Sequence, residues 1–131
     1  MSRLRDFERQ PHTHAKGELA EDAAESFLRA SGYRIVERNL RTKLGEIDFV
    51  ALDGEVLCFV EVKARLSAEF GHAIEAVGPR KRARLARVAS LVLAKNRSQR
   101  ACRFDVLGLD RAADGGWTFT LIKDAIQLDR L

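Results

Sequence analysis

The chain has 131 residues, 46% hydrophobic and 32% charged with two prolines; this is one domain's worth of ordinary globular sequence and excludes a two-domain enzyme or a low-complexity chain. Lys plus Arg number 23 against 19 for Asp plus Glu, a net charge of +4 that favours a polyanionic partner. The charge is uneven: residues 1–60 carry 9 basic and 11 acidic side chains and residues 61–131 carry 14 and 8, so the positive field belongs to the C-terminal half. No apolar run approaches the roughly 18 residues of a membrane span, and the N-terminus is charged, so a cytoplasmic chain without a membrane partner is expected. Cys58 and Cys102 lie far apart among apolar neighbours, with no Cys or His at metal spacing, and read as buried free thiols of a reducing compartment.

Residues 1–14 are polar and aperiodic, which predicts a mobile arm ahead of a single domain over 15–131. His12 and His14 form an HxH pair, for which a solvated tail is the plainer explanation. From Gly17 to Ser31 the positions Ala20, Ala23, Ala24, Phe27 and Leu28 keep helical spacing, and Gly32 offers the left-handed residue that ends a helix. Glu21 falls at the border of that helix's buried face. Tyr33 to Asn39 reads as a strand, followed by a hairpin of LGEIDFVAL and EVLCFVEVKA turning at Asp53-Gly54. Gly71, Gly78 and Pro79 punctuate a loop over 66–79. A second helix is predicted from about Arg80 to Lys95 with Leu85, Val88 and Val92 as its apolar stripe. Strands Cys102 to Leu109 and Trp117 to Ile122 follow, joined by an Asp-Gly-Gly turn at 114–116. The order α-β-β-β-α-β-β makes a mixed α/β domain around one sheet.

A two-residue turn at Asp53-Gly54 would set Glu46 opposite Glu61 and Asp48 opposite Phe59. Period-two alternation then puts Glu46, Asp48, Glu61 and Lys63 on one sheet face, interleaved with the core residues Val50, Leu57 and Phe59. Three carboxylates and an ammonium among buried hydrophobes need neutralisation, and a divalent cation supplies it. Carboxylate oxygens are the ligands of Mg²⁺ or Mn²⁺, and Mg²⁺ takes one or two of them, leaving room for water and phosphate oxygens. Lys63 beside that cation can orient or deprotonate a water or stabilise charge on a phosphate, the outline of phosphodiester hydrolysis. The same spacing also fits a plain ion pair of Lys63 with Asp48 or Glu46.

GEIDFV followed by FVEVKAR, behind a helix holding Gly17-x-x-Ala20-Glu21 and ending at Gly32-Tyr33, resembles the PD-(D/E)xK nuclease superfamily. More closely it resembles the bacterial YraN-like family, which is similar to archaeal Holliday-junction resolvases; the resemblance runs from about Gly17 to Val106. It implies a restriction-endonuclease-like fold, with the order α-β-β-β-α-β and a central mixed sheet flanked by helices. It also implies that Asp48 and Glu61 bind the metal, that Lys63 is the catalytic lysine and that Glu21 completes the site. The proline of the superfamily name is Ile47 here. Glu46 has no fixed role in the superfamily, and both an auxiliary ligand role and a structural one stay open.

From Pro79 to Arg103 there are nine Lys or Arg and no acid, a run that would repel itself unless a polyanion lay against it. Arg80, Arg84 and Arg87 share a helix face opposite the apolar stripe, whereas Lys81 lies on the stripe's own side and is expected to point toward the active site. Arg41 and Lys43 before GEID and Arg65 after the ExK are further candidate phosphate contacts. The leading expectation is a Mg²⁺- or Mn²⁺-dependent endonuclease acting on DNA, duplex or branched, by in-line attack of a metal-activated water with Lys63 assisting. Resemblance to the resolvases also implies a homodimer. A nucleic-acid-binding module with a vestigial site, acting through a partner, accounts equally well for the basic run. RNA as substrate is a weaker alternative, since one Trp and one Tyr give little platform for stacking single strands.

Overall fold

The computed structural model describes residues 17–65, 79–96 and 101–126, so the predicted arm and the loop before the second helix lie outside the described residues. The described residues form helix α1 (Gly17–Ala30), strands β1 (Arg34–Thr42), β2 (Gly45–Asp53) and β3 (Val56–Arg65), helix α2 (Pro79–Asn96), and strands β4 (Cys102–Arg111) and β5 (Trp117–Ile126). They make an α/β domain with one mixed five-stranded sheet in the order β1-β2-β3-β4-β5, in keeping with a restriction-endonuclease-like fold. All pairings are antiparallel except β3 with β4, whose parallel register requires a crossover; α2 lies within it.

α1 buries Ala20, Ala24 and Leu28, four residues apart along one stripe. Its end matches the expectation closely: Gly32 takes φ 98°, while Tyr33 N–H donates to the Leu28 carbonyl at 3.0 Å and Gly32 N–H to that of Arg29 at 3.1 Å, a Schellman closure. The sheet carries a core on each face. On the α1 face, Ala20, Ala24 and Leu28 meet Phe49, Val60, Leu107 and Leu109. On the other, Leu85, Val88 and Ala89 of α2 meet Leu40, Ile47, Val50, Phe59 and Phe104. Cys58 is buried as expected, whereas Cys102 is only half-buried; both thiols are free.

The hairpin register differs from the predicted one. Val50 pairs with Phe59 and Asp53 with Val56, so the two-residue turn is Gly54-Glu55, with Gly54 at φ 63° and Asp53 belonging to β2. Moving the turn by one residue shifts every cross-strand partner by two, so Glu46 does not face Glu61 and Asp48 does not face Phe59. Neither does one face hold all four charged residues. Ile47 packs against α2 and Phe49 against α1, although strict alternation would put them on the same side. Asn39, at φ 58°, causes the change: it stands across from Asp48 between the pairs Arg38↔Phe49 and Leu40↔Ile47. A left-handed residue in a strand rotates the chain, and both strands turn over at this point.

A second polar device ties the far end of the sheet. Asp105 is 0% exposed, yet its carboxylate accepts from Tyr33 Oη at 2.6 Å, Arg103 Nε at 2.8 Å and the backbone N–H of Asp124 at 2.8 Å. The last bond fills the interruption of the β4–β5 ladder between Phe104 and Val106, where Asp124 is left-handed at φ 56°. Arg103 also reaches Asp53 at 2.6 Å, and Lys123 reaches the same carboxylate at 3.0 Å. These partners hold Asp53 below the usual carboxylate range, Arg103 contributing most. Asp105→Ala would leave the buried Tyr33 phenol and the Asp124 amide without their acceptor and the part-buried Arg103 with Asp53 alone, and a loss of about 2–3 kcal/mol is expected. Chemical denaturation of the variant against the parent checks this.

Candidate functional site

The β2–β3 ladder runs from the turn to Phe49↔Val60 and stops at the next position. Beyond it the Asp48 carboxylate takes over, its Oδ2 accepting from the Val62 backbone N–H at 2.8 Å. A side chain thus substitutes for the missing carbonyl and fixes Asp48 beside the Glu61-Val62-Lys63 segment. Glu61 follows Phe59 and Val60 along β3 and is itself buried, its side chain only 5% exposed. Lys63 Nζ lies 4.0 Å from Glu61 Oε2, and the lysine side chain as a whole is 25% exposed. The structure therefore brings Asp48, Glu61 and Lys63 together at the point where the hairpin opens.

Glu21 enters from α1. Its Oε1 accepts from Asn39 Nδ2 at 3.0 Å and lies 3.5 Å from Arg38 Nη2, leaving the side chain 12% exposed. Arg38 spans three α1 acids, also reaching Asp22 at 2.7 Å and Glu25 at 3.0 Å. Glu25 is held below the usual carboxylate range, chiefly by its hydrogen bond from Arg29. Sequence reasoning missed both Arg38 and Asn39. Arg38 gave no signal, since an arginine at a strand position is ordinary; Asn39 gave a faint one, because Asn tolerates the left-handed region better than most residues.

Glu46 pairs with Arg41 at 3.0 Å, which favours the structural alternative for Glu46 and gives Arg41 a partner within the chain. Lys43 is exposed in the β1–β2 turn, and Arg65 ends β3 opposite Asp110. Arg84 and Arg87 are exposed on α2 while Leu85 and Val88 are buried, as the stripe predicted. The side chains of Arg80, Lys81 and Val92 lie outside the described residues. Arg84 has a structural duty besides: a Cβ on Gly45, at φ 142°, would come within 2.9 Å of its Cδ, so glycine at the head of GEID lets the arginine stem lie across the hairpin. An open groove of about 610 Å³ between Leu44 and the outer side of α2 is lined by Ala83, Ala86, Arg87, Ser90 and Leu91; it is largely apolar and lacks the carboxylates.

Asp48 and Glu61 offer hard oxygen ligands from adjacent strands, the donor chemistry that Mg²⁺ or Mn²⁺ takes. Among the described residues no three acidic, imidazole or thiolate groups form a ligand cluster. Two carboxylates fit a cation that keeps most of its coordination for water and substrate oxygens. Asp48→Asn keeps an acceptor for the Val62 N–H and removes a negative charge next to Glu61. Without metal it is expected to unfold at or above the parent's temperature, while Asp48→Ala loses about 1 kcal/mol with the orphaned amide. Thermal unfolding in a chelator compares the three.

A family model described as "Uncharacterised protein family UPF0102" matches residues 20–109. The chain is 51% identical over 110 residues to a UPF0102 protein of Symbiobacterium thermophilum, covering 83% of this chain and 93% of that one. Against a UPF0102 protein of Magnetococcus marinus it is 44% identical over 114 residues, covering 86% and 91%. Against that of Herminiimonas arsenicoxydans it is 39% identical over 127 residues, covering 95% and 98%. The chain belongs to the UPF0102 family.

Proposed function

We propose that this UPF0102 member is a metal-dependent endonuclease of the PD-(D/E)xK type that hydrolyses DNA phosphodiesters, duplex or branched. The observation that carries the proposal is the grouping of Asp48, Glu61 and Lys63 where the β2–β3 ladder ends, two carboxylates and an ammonium at the margin of an apolar core. Asp48 and Glu61 would hold Mg²⁺ or Mn²⁺. What such a cation supplies there is positive charge against the anionic oxygens of the scissile phosphate.

The chain's own residues do the rest. Lys63, partly exposed beside Glu61, is placed to donate hydrogen bonds to a phosphate oxygen and to orient a water for in-line attack. Glu21, held by Asn39 and Arg38, adds a third carboxylate on the helix side. Arg84 and Arg87 stand exposed along α2, together with Lys43 in the turn below, and offer a row of cations to the phosphate backbone. Arg80, Lys81 and Arg65 extend the set on the strength of the sequence. Two free thiols accord with a reducing cytoplasm, and no helix among the described residues is long and apolar enough to cross a membrane. A homodimer belongs to the same proposal where the substrate is a two-fold junction.

Labelled four-way junction, duplex and single-stranded DNA, each with Mg²⁺, Mn²⁺ or chelator, test it. Cutting should require metal and fall at least about 100-fold in Asp48→Asn and in Lys63→Met, in the range that single catalytic groups contribute. Arg84→Glu with Arg87→Glu should weaken DNA binding and flatten its salt dependence without altering the metal requirement. Tight, salt-sensitive binding with no cleavage under any metal would instead establish a binding module that acts through a partner.

A further inference from the structure

Within the described residues, two buried side-chain polar atoms lack a hydrogen-bond partner, Asn39 Oδ1 and Arg38 Nε, and they belong to consecutive residues. Asn39 is 8% exposed and its Nδ2 is 3.0 Å from Glu21 Oε1. Only the NH₂ end of an amide can face a carboxylate, so this contact fixes the orientation and turns the carbonyl oxygen away from Glu21. The residue stands across from Asp48, at the point where β1 and β2 both turn over. A left-handed φ of 58° would be met at lower cost by glycine, so the backbone alone does not account for asparagine here. A buried carbonyl oxygen with no donor is costly, and water is the donor that fits beside ionised groups.

We propose that Asn39 is a positioning residue of the carboxylate site: its Nδ2 holds Glu21, while its Oδ1 accepts a hydrogen bond from a water of the divalent cation's hydration shell. The proposal rests on the metal-site function proposed above and adds a residue to it. Mg²⁺ and Mn²⁺ held by few carboxylates keep several waters, and groups that hydrogen-bond to those waters set cation affinity and the orientation of the attacking oxygen. Arg38 Nε, the neighbouring orphan donor, supplies the competing explanation: a water bridging the two atoms would serve structure alone.

Mn²⁺ binding to the full chain, followed by the loss of free-ion paramagnetic resonance signal, separates these cases in the parent, Asn39→Gly and Asn39→Asp. Glycine suits the backbone angle, so Asn39→Gly should fold, with a metal-free unfolding temperature near the parent's, and should bind Mn²⁺ about tenfold more weakly. Asn39→Asp keeps an oxygen where Oδ1 stood and adds charge beside Glu21. It should retain parental affinity or exceed it, with a larger rise in unfolding temperature on adding Mn²⁺. Parental affinity in Asn39→Gly would overturn the proposal and leave the bridging water; equal loss in both variants would overturn the acceptor role. No Mn²⁺ binding by the parent would overturn the metal site itself, and this inference with it.

Discussion

A β-sheet hydrogen bonds its own backbone, and most of what is particular about this chain follows from one place where it stops doing so. At Phe49↔Val60 the central hairpin ends its ladder, and the carboxylate of Asp48 takes the next amide, that of Val62. Across the other edge of β2, Asn39 adopts a left-handed conformation and rotates β1 and β2 together. Opening the hairpin forgoes backbone hydrogen bonds worth about 1 kcal/mol net each, and the Asp48 carboxylate replaces one of them. In return, the Asp48 carboxylate is held beside the Glu61-Val62-Lys63 segment.

The other end of the sheet shows how the fold handles a buried charge when no ligand is wanted. Asp105, fully buried, is surrounded by donors from Tyr33, Arg103 and the Asp124 backbone, and Arg103 in turn is shared with Asp53. Burial raises the Tyr33 hydroxyl's pKa well above its ordinary value, and the adjacent carboxylate reinforces the shift, so the phenol stays a donor. The network closes on itself. At the hairpin opening, by contrast, the Asn39 amide is buried with its Oδ1 lacking a donor. A water of a hydrated cation is a donor that this oxygen could take.

Much of this was legible in the sequence because it depends on short-range patterns. The α1 stripe and its Gly32 closure, the seven elements in order, the pairing of the GEID and VEVK strands and the stripe of α2 all follow from periodicity and turn residues, which act over a few positions. The register did not follow. Asp53-Gly54 is a strong hairpin signal, but Gly54 serves as the first rather than the second central residue, and dipeptide preference does not fix that choice. Nor did the change of face at Asn39, since alternation assumes a regular strand and a single left-handed residue cancels it. Glu21 meets partners 17 and 18 residues away, and Tyr33 meets Asp105 and Arg103 across 72 and 70, separations at which sequence pattern carries no information about contact.

The opened hairpin is proposed as a divalent-cation site. A crystal of the protein equilibrated with Mn²⁺, measured near the manganese absorption edge, addresses it without reference to any substrate. An anomalous peak bonded to oxygens of both Asp48 and Glu61 is predicted; a fully loaded crystal with manganese elsewhere, or with none at these two carboxylates, would contradict it.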